Sequence, residues 1–567
     1  MRYSAFYWLS LLAVSTQYWL TLGQATSNPK NEDFLRRSLC SATVNGNYVY
    51  IDGGEISWMR NGENALSEHH PSQSVNFTLS IDLQSSWNTS IVDIKTSDKA
   101  TMPRLNFQAI WRDHNSRGFY VWGGETPYKN KVKPSNIWLF EADQNGKGFW
   151  KNATIDNRED FNRLKQPKGG AYAQSKNMAY YFGGFASPKT DSSIAGFERE
   201  RVALPGLVSY NMSSMQVANT SSDGFGDYNT FRDGSMEAIP FGPEGLLLVL
   251  GGSQAPPLAN TDEDWNLMDF RHVFIYDLKA RKWHKQQTTG DQPTPRDKFC
   301  TVGVDGPNNT FDIFMYGGRI GKDGISDEVH VLTLPGFRFF KAKSPGSTTA
   351  RLNHACVLIG NRHMLSIGGS SDYEPPASWN NRDPWTRGLG VFDLTQMTWS
   401  NKYNGTAAKY DSPAVVRQWY DSGGMNAIAW NKDVESLFAL KPTSDPTSNA
   451  RPDEVAKPNV GAIVGAVVGG VVGLALTIGL VLFFLRRKKR KAAEAEYVSD
   501  ETTANPPAYE KRGPEIQQAP GLDDIAHRTS AAPDVHEMSG NLTAVELPGD
   551  HGTYEENHSN NRNEVAG

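Results

Sequence analysis

The stretch "GFYVWGGE", Gly118 to Glu125, decides the fold. A run of strand-forming residues ends there on two adjacent glycines, and the same ending returns along the chain. It is found in "YVYIDGGE" (Gly53, Gly54), "YYFGGF" (Gly183, Gly184), "LLLVLGGS" (Gly251, Gly252), "IFMYGGR" (Gly317, Gly318) and "HMLSIGGS" (Gly368, Gly369). The pairs stand 70, 60, 68, 66 and 51 residues apart. A fixed motif at variable spacing means a repeated unit with loop insertions.

Each unit follows one grammar. An arginine often opens it, as in "PRLNF" (Arg104), "PRDKF" (Arg296) and "ARLNH" (Arg351). Two apolar runs follow, separated by a short turn such as "VNGN", "SKN", "PEG" or "IGNR", and the second ends on Gly-Gly. After a loop comes a third run, "HVFIYDL" (His272 to Leu278) or "LGVFDL" (Leu389 to Leu394), and then a tryptophan: Trp87, Trp150, Trp283 or Trp399. Met215 and Phe339 are the expected substitutes in the third and fifth units. Four short strands and one large aromatic per unit describe a β-propeller blade. The glycines end the second strand where it must depart sharply beside a neighbour, a place where a Cβ would collide and φ turns positive. The tryptophan fills the wedge between blades.

Gly-Gly, then Tyr/Phe-Asp, then Trp resembles the kelch repeat over about residues 35 to 403. The whole layout is similar to the fungal membrane-anchored kelch proteins: signal peptide, propeller, one span and Pro-rich tail. The expected fold is therefore all-β, a six-bladed kelch-type β-propeller followed by one transmembrane helix and a disordered tail. The stretch "SPAVVRQWYDSGGMNAIAW" (Ser412 to Trp430) is the candidate for a degenerate seventh blade.

Three compositions share the 567 residues. Residues 1–25 read as a secretory signal, with Arg2, the apolar core "AFYWLSLLAV" and small residues "GQA" at the cleavage positions. Residues 26–440 form the extracellular propeller and 441–459 a stalk. Residues 460–485 carry no charge and are followed by "RRKKRK" (Arg486 to Lys491), which reads as a membrane span with a cytoplasmic stop. Residues 486–567 form the cytoplasmic tail. The net charge of −5 is unevenly spread: residues 486–491 carry +6, and 492–567 hold fifteen acidic against four basic residues, which leaves the exterior part neutral. Without a basic field, nucleic acid is not an expected partner.

The three cysteines, Cys40, Cys300 and Cys356, each precede a Gly-Gly in an apolar stretch. They read first as small buried hydrophobes in equivalent strands, with a Cys300–Cys356 or Cys40–Cys356 bridge left open. No spacing resembles a metal site, and no cofactor is expected. Sequons at Asn76, Asn88, Asn152, Asn211, Asn219, Asn308 and Asn404 are expected to be glycosylated where exposed.

Blade topology puts the loops after Gly-Gly on one face, and these are long, whereas the turns between the first two strands are short. Long loops on a rigid scaffold are where binding lives. They hold Trp58, Trp265, Trp379 and Trp385, with Asp262 and Asp264. Aromatic faces beside carboxylates suit a sugar, so the expected ligand is a cell-wall glycan or a surface protein. The chain is thus expected to be a binding protein and not an enzyme. The rival is a propeller-based oxidase, because some kelch-type propellers resemble galactose oxidase, a copper radical enzyme. The Tyr-His dipeptide of that family occurs nowhere in this sequence.

Gly461, Gly465, Gly469 and Gly473 recur on one face of the expected span and allow a homodimer through close helix approach. The tail is acidic, Pro-rich and expected to be disordered. Within it Pro506-Pro507-Ala508-Tyr509 matches P-P-x-Y, the motif read by WW domains through a polyproline II helix. Pro506, Pro507 and Tyr509 resemble a docking site for a WW-domain ubiquitin ligase, with Lys511 as the acceptor.

Overall fold

The computed structural model describes residues 28–439 apart from 67–69, 195–200, 258–264, 323, 343–349 and 373–376. Six antiparallel sheets of four sequential strands dominate it. The first uses Ser41–Asn45, Tyr48–Asp52, Phe77–Asp82 and Ile94–Asp98; the second uses Ala109–Arg112, Phe119–Trp122, Trp138–Ala142 and Gly148–Asn152. Sheets three to six open on Ala171–Ser175, Ser235–Ile239, Cys300–Asp305 and Ala355–Ile359 and repeat the same order. The fifth gains a short parallel strand, Thr289–Gly290, at its outer edge. The opening strands neighbour one another in a closed cycle, the sixth beside the first. This is the arrangement of a β-propeller.

The apolar core is divided in the same way. Six clusters each span two adjacent sheets, and one of them joins Leu365, Ile367 and Val391 of the sixth to Val49, Ile51 and Leu79 of the first. Second strands are buried on both faces, so they read as continuous apolar runs. In Phe311–Tyr316 the side chains of Phe311, Ile313 and Met315 enter the cluster shared with sheet four, while Phe314 and Tyr316 enter the one shared with sheet six. This alternation follows from the two-residue period of a strand.

The Gly-Gly pairs stitch the cycle. All twelve glycines have positive φ. The second of each pair donates its N–H to the next unit: Gly54 to the Leu105 carbonyl, Gly124 to Pro167, Gly184 to Phe231, Gly252 to Arg296, Gly318 to Arg351 and Gly369 to Arg37. The last of these, 2.8 Å long, closes the ring between units six and one. A Cβ on Gly368 would stand 2.5 Å from the Arg37 carbonyl oxygen, closer than real Cβ atoms come. A second tie at the same junction is the strand pair Lys402–Tyr403 with Trp87–Asn88.

That pair corrects one expectation. Trp87 is not on a fourth strand; it packs on Tyr403 at 5.1 Å in the closure. Register identifies the wedge position instead: Trp150 opposite Phe140, Trp283 opposite Tyr276, Phe339 opposite Leu332 and Trp399 opposite Phe392. Ile94 and Val217 hold it in units one and three, opposite Ile81 and Tyr210. Met215, the expected substitute, sits in the preceding turn with its side chain exposed.

The seventh-blade candidate is also corrected. Residues 412–430 form no strands. They contain the helix Ala414–Asp421 and a 3-10 turn, and a further helix, Lys432–Ala439, follows. Val416, Trp419 and Tyr420 recur at helical spacing and bury against unit five. The Tyr420 hydroxyl accepts from the Gly336 N–H, and Val434 and Leu437 join the core of units four and five. The segment is a strap across the face that carries the short turns. Buried Asp312 anchors it by accepting from the hydroxyls of Tyr410 and Ser412.

Among the described residues no helix is long and apolar enough to cross a membrane. The signal sequence, the expected span with Gly461, Gly465, Gly469 and Gly473, and the tail motif at Pro506, Pro507, Tyr509 and Lys511 lie outside the described residues.

Candidate functional site

Two features share the ring axis: the loop face and a central cavity beneath it. Every opening strand is preceded by a residue in the left-handed region: Leu39 (φ 66), Phe107 (59), Gly169 (73), Asp233 (55), Lys298 (58) and Asn353 (56). Their backbones bond to one another around the axis. Leu39 N–H donates to Asn353, Phe107 to Leu39, Asp233 to Gly169, Lys298 to Asp233 and Asn353 to Lys298. Three of the six, Leu39, Phe107 and Lys298, are neither Gly, Asn nor Asp, so nothing in the sequence marks their conformation. The ring narrows the channel mouth on the loop face.

Beneath the ring, the opening strands enclose a cavity of about 650 Å³. Tyr172, Glu237, Cys300, His354 and Cys356 line its wall, and Arg112, His114, Asp305 and Lys409 are among its other lining residues. Burial pushes the Glu237 carboxyl up to about 7 against the Thr301 hydroxyl and the Gly303 N–H, which favour its charge. Burial likewise lowers Lys298, with Asp233 opposing. Sequence reasoning passed over Glu237, whose only signal is an acidic side chain inside the apolar run "SMEAI".

Two of the cysteines correct their first reading. Cys300 and Cys356 are joined in a disulfide between the opening strands of units five and six, with Cα atoms 5.6 Å apart. Cys40 is free and buried, and burial raises its thiol to about 11. A ring nitrogen of His354 and the two sulfurs lie within 4.8 Å of one another. The sulfurs are bonded to each other, so in this state they offer no thiolates to a metal.

On the loop face, the four tryptophans divide. Trp385 is committed to the scaffold: it stacks on Tyr316, packs on Trp399 at 4.7 Å and lies under the Arg351 guanidinium at 3.6 Å. Arg351 is itself buried and paired with Asp383 at 3.2 Å. Trp265 stacks with Arg232 at 4.3 Å in unit four. Trp58 and Trp379 belong to segments that meet between the first and sixth units, where the Ser57 hydroxyl donates to the Trp379 carbonyl at 2.7 Å. Both are half-buried. Asp262 and Asp264 lie outside the described residues. No ring contact joins any two of these four tryptophans, and Trp58 and Trp379 are the two whose segments meet.

Most charges on this face are mutually satisfied. Glu328 receives His330, Lys341 and Arg296, and these partners hold its carboxyl well below the usual range, the His330 hydrogen bond foremost. Lys168 meets Glu125 at 2.7 Å, and Arg319 pairs with Asp297. Among the sequons, Asn152, Asn219, Asn308 and Asn404 are exposed, whereas Asn76, Asn88 and Asn211 are half-buried.

Comparison with known proteins follows the geometry. Residues 244–470 match the KLHDC2/KLHL20/DRC7 Kelch-repeats domain. A Kelch repeat-containing protein of Arthroderma benhamiae is 24% identical over 492 residues, covering 76% of this chain and 69% of that protein. Shorter similarities reach the serine/threonine-protein phosphatase BSL2 of Arabidopsis thaliana, 30% identical over 110 residues and 10% of its length. Kelch domain-containing protein 2 of Bos taurus is 29% identical over 118 residues and 26% of its length. With its sheets stitched by Gly-Gly into a closed cycle, the chain is similar to Kelch-repeat proteins, through residues 244–470 to the family domain and through most of its length to the Arthroderma benhamiae protein.

Proposed function

We propose that this protein is a single-pass cell-surface glycoprotein whose six-bladed propeller binds a cell-wall glycan or a surface protein through its loop face. The Kelch repeat itself suggests an interaction module. The observation that carries the reading is the asymmetry of the two faces. The short-turn face is partly covered by the chain's own strap, while the long loops stand on the other. Residues 460–485 anchor the chain, and the P-P-x-Y tail recruits a WW-domain ubiquitin ligase for sorting.

Trp58 and Trp379 favour a sugar as the first ligand to test, because half-exposed indoles suit the apolar face of a pyranose. The experiment is binding of the full-length protein to a panel of wall glycans, with Trp58→Ala/Trp379→Ala as the variant and Trp265→Ala as the control. Saturable binding lost only in the double variant supports the glycan reading. No binding to any glycan transfers the loop face to a protein partner. For the tail, Tyr509→Ala is expected to raise surface abundance; unchanged turnover would reject the sorting role.

A further inference from the structure

The wall of the central cavity holds a group that the binding function does not use. Cys300 opens the first strand of unit five, and Cys356 lies in the first strand of unit six. His354 precedes Cys356 by two residues and is buried, and one of its ring nitrogens lies within 4.8 Å of both sulfurs. Its ring stands edge-on to Tyr316 at 5.1 Å, which fixes its position beside the two sulfurs. All three residues line the cavity, and Cys356 is half-buried.

We propose that Cys300, His354 and Cys356 form a redox-gated site for a thiophilic d10 cation such as Zn²⁺, closed by the disulfide and opened by its reduction. A small dithiol that enters the cavity supplies the two electrons. Its thiolate attacks Cys356 Sγ, the sulfur–sulfur bond breaks, and Cys300 leaves as a thiolate that takes up a proton. The second thiol of the reductant then releases Cys356 and closes the reductant's own disulfide. Binding of the cation to the two sulfurs displaces two protons, and the imidazole adds a neutral nitrogen. The fourth position of a tetrahedral site opens on the cavity and is filled by water. A disulfide of the same class of reductant takes the two electrons back by thiol–disulfide exchange, re-forms Cys300–Cys356, becomes a dithiol and so ejects the cation.

The test uses the full-length protein, reduced with a phosphine and desalted without oxygen, then titrated with Zn²⁺ against a chromophoric chelator in weak buffer. One Zn²⁺ per chain and two protons released are expected. The oxidised protein should take up none, and Cys40→Ala should behave as the parent. His354→Ala should weaken binding at least tenfold. Cobalt(II) loading of the unmutated protein gives an independent reading: a thiolate charge-transfer band with tetrahedral ligand-field bands supports the site, and an octahedral spectrum overturns it. Absence of uptake by the reduced protein, uptake indifferent to His354→Ala, or unfolding on reduction would each overturn it as well.

Discussion

Gly368→Ala probes the ring closure most directly. Gly368 has φ 67, and a Cβ there would meet the Arg37 carbonyl oxygen at 2.5 Å and its carbon at 3.0 Å. Two costs add. Placing an L-residue in the left-handed region costs about 1–2 kcal/mol. Forcing a methyl group into a packed junction costs roughly 1–3 kcal/mol more, since the obstacle is backbone and cannot swing aside. The expected loss is about 2–5 kcal/mol. Gly46 supplies the control: its φ is 59, yet nothing lies within 4 Å of its hypothetical Cβ. Gly46→Ala should suffer only the conformational cost, reduced by roughly 0.4–1 kcal/mol through the stiffer unfolded chain. Urea unfolding followed by tryptophan fluorescence reads both, with stability taken from the midpoint at constant slope. Equal destabilisation by the two substitutions would refute the steric argument and leave the Gly-Gly pair as a matter of φ alone.

Three other outcomes follow from packing and charge. Trp283→Ala, at a wedge position with the indole 5% exposed, should cost about 3–5 kcal/mol, while Trp265→Ala should cost under about 1 kcal/mol; similar losses would remove the distinction drawn between them. Lys99 and Asp52 form a buried ion pair at 2.8 Å, and Asp52 also accepts from Thr78 and Gln108. Lys99→Met strands the carboxylate and should cost about 3–5 kcal/mol, most of it recovered by adding Asp52→Asn; a silent single variant would contradict this. Glu237 sits at about 7, above its ordinary 4.5, so its contribution to stability is fully present below about 4.5 and is lost as pH rises through about 7. Glu237→Gln should flatten the fall in stability across that window, measured by melting at several pH values; an unchanged slope would assign the fall to other groups.

The repeat was legible because its signal is a backbone demand. Two adjacent left-handed residues beside a neighbouring carbonyl leave glycine as the residue that fits, and the demand recurs in every unit. The wedge position was legible only where tryptophan occupies it. In unit one the connection between the third and fourth strands runs from Leu83 to Asp93 and carries its own short strand, so spacing placed Trp87 one element too early. In unit three the strand begins at Gln216, and register, not residue size, selects Val217 over Met215. The strap carried a readable helical period in Val416, Trp419 and Tyr420, but the nearby Gly423-Gly424 suggested another blade. The left-handed ring at the channel mouth was not legible, because tertiary contacts impose positive φ on residues such as Leu39 and Phe107 that do not favour it. The loop tryptophans were found by type, but which of them serve the scaffold depends on contacts such as Arg351 over Trp385, distant in sequence from most of their partners.

The strap and the first strand also set how the domain would bear tension. Phe34–Ser38 pairs with Glu55–Arg60 on the loop face, whereas the helices ending at Ala439 lie on the opposite face, against units four to six. A pull between these two ends enters through unit one and leaves through the far units, so it loads the junction of units six and one. That junction is held without a covalent bond, by a shared apolar cluster, hydrogen bonds and one two-residue strand pair, while the disulfide reinforces the neighbouring junction of units five and six. The ring therefore has a seam that can part under load and a covalent staple one blade away, so a stretched domain would open as a strip and keep its last two blades together.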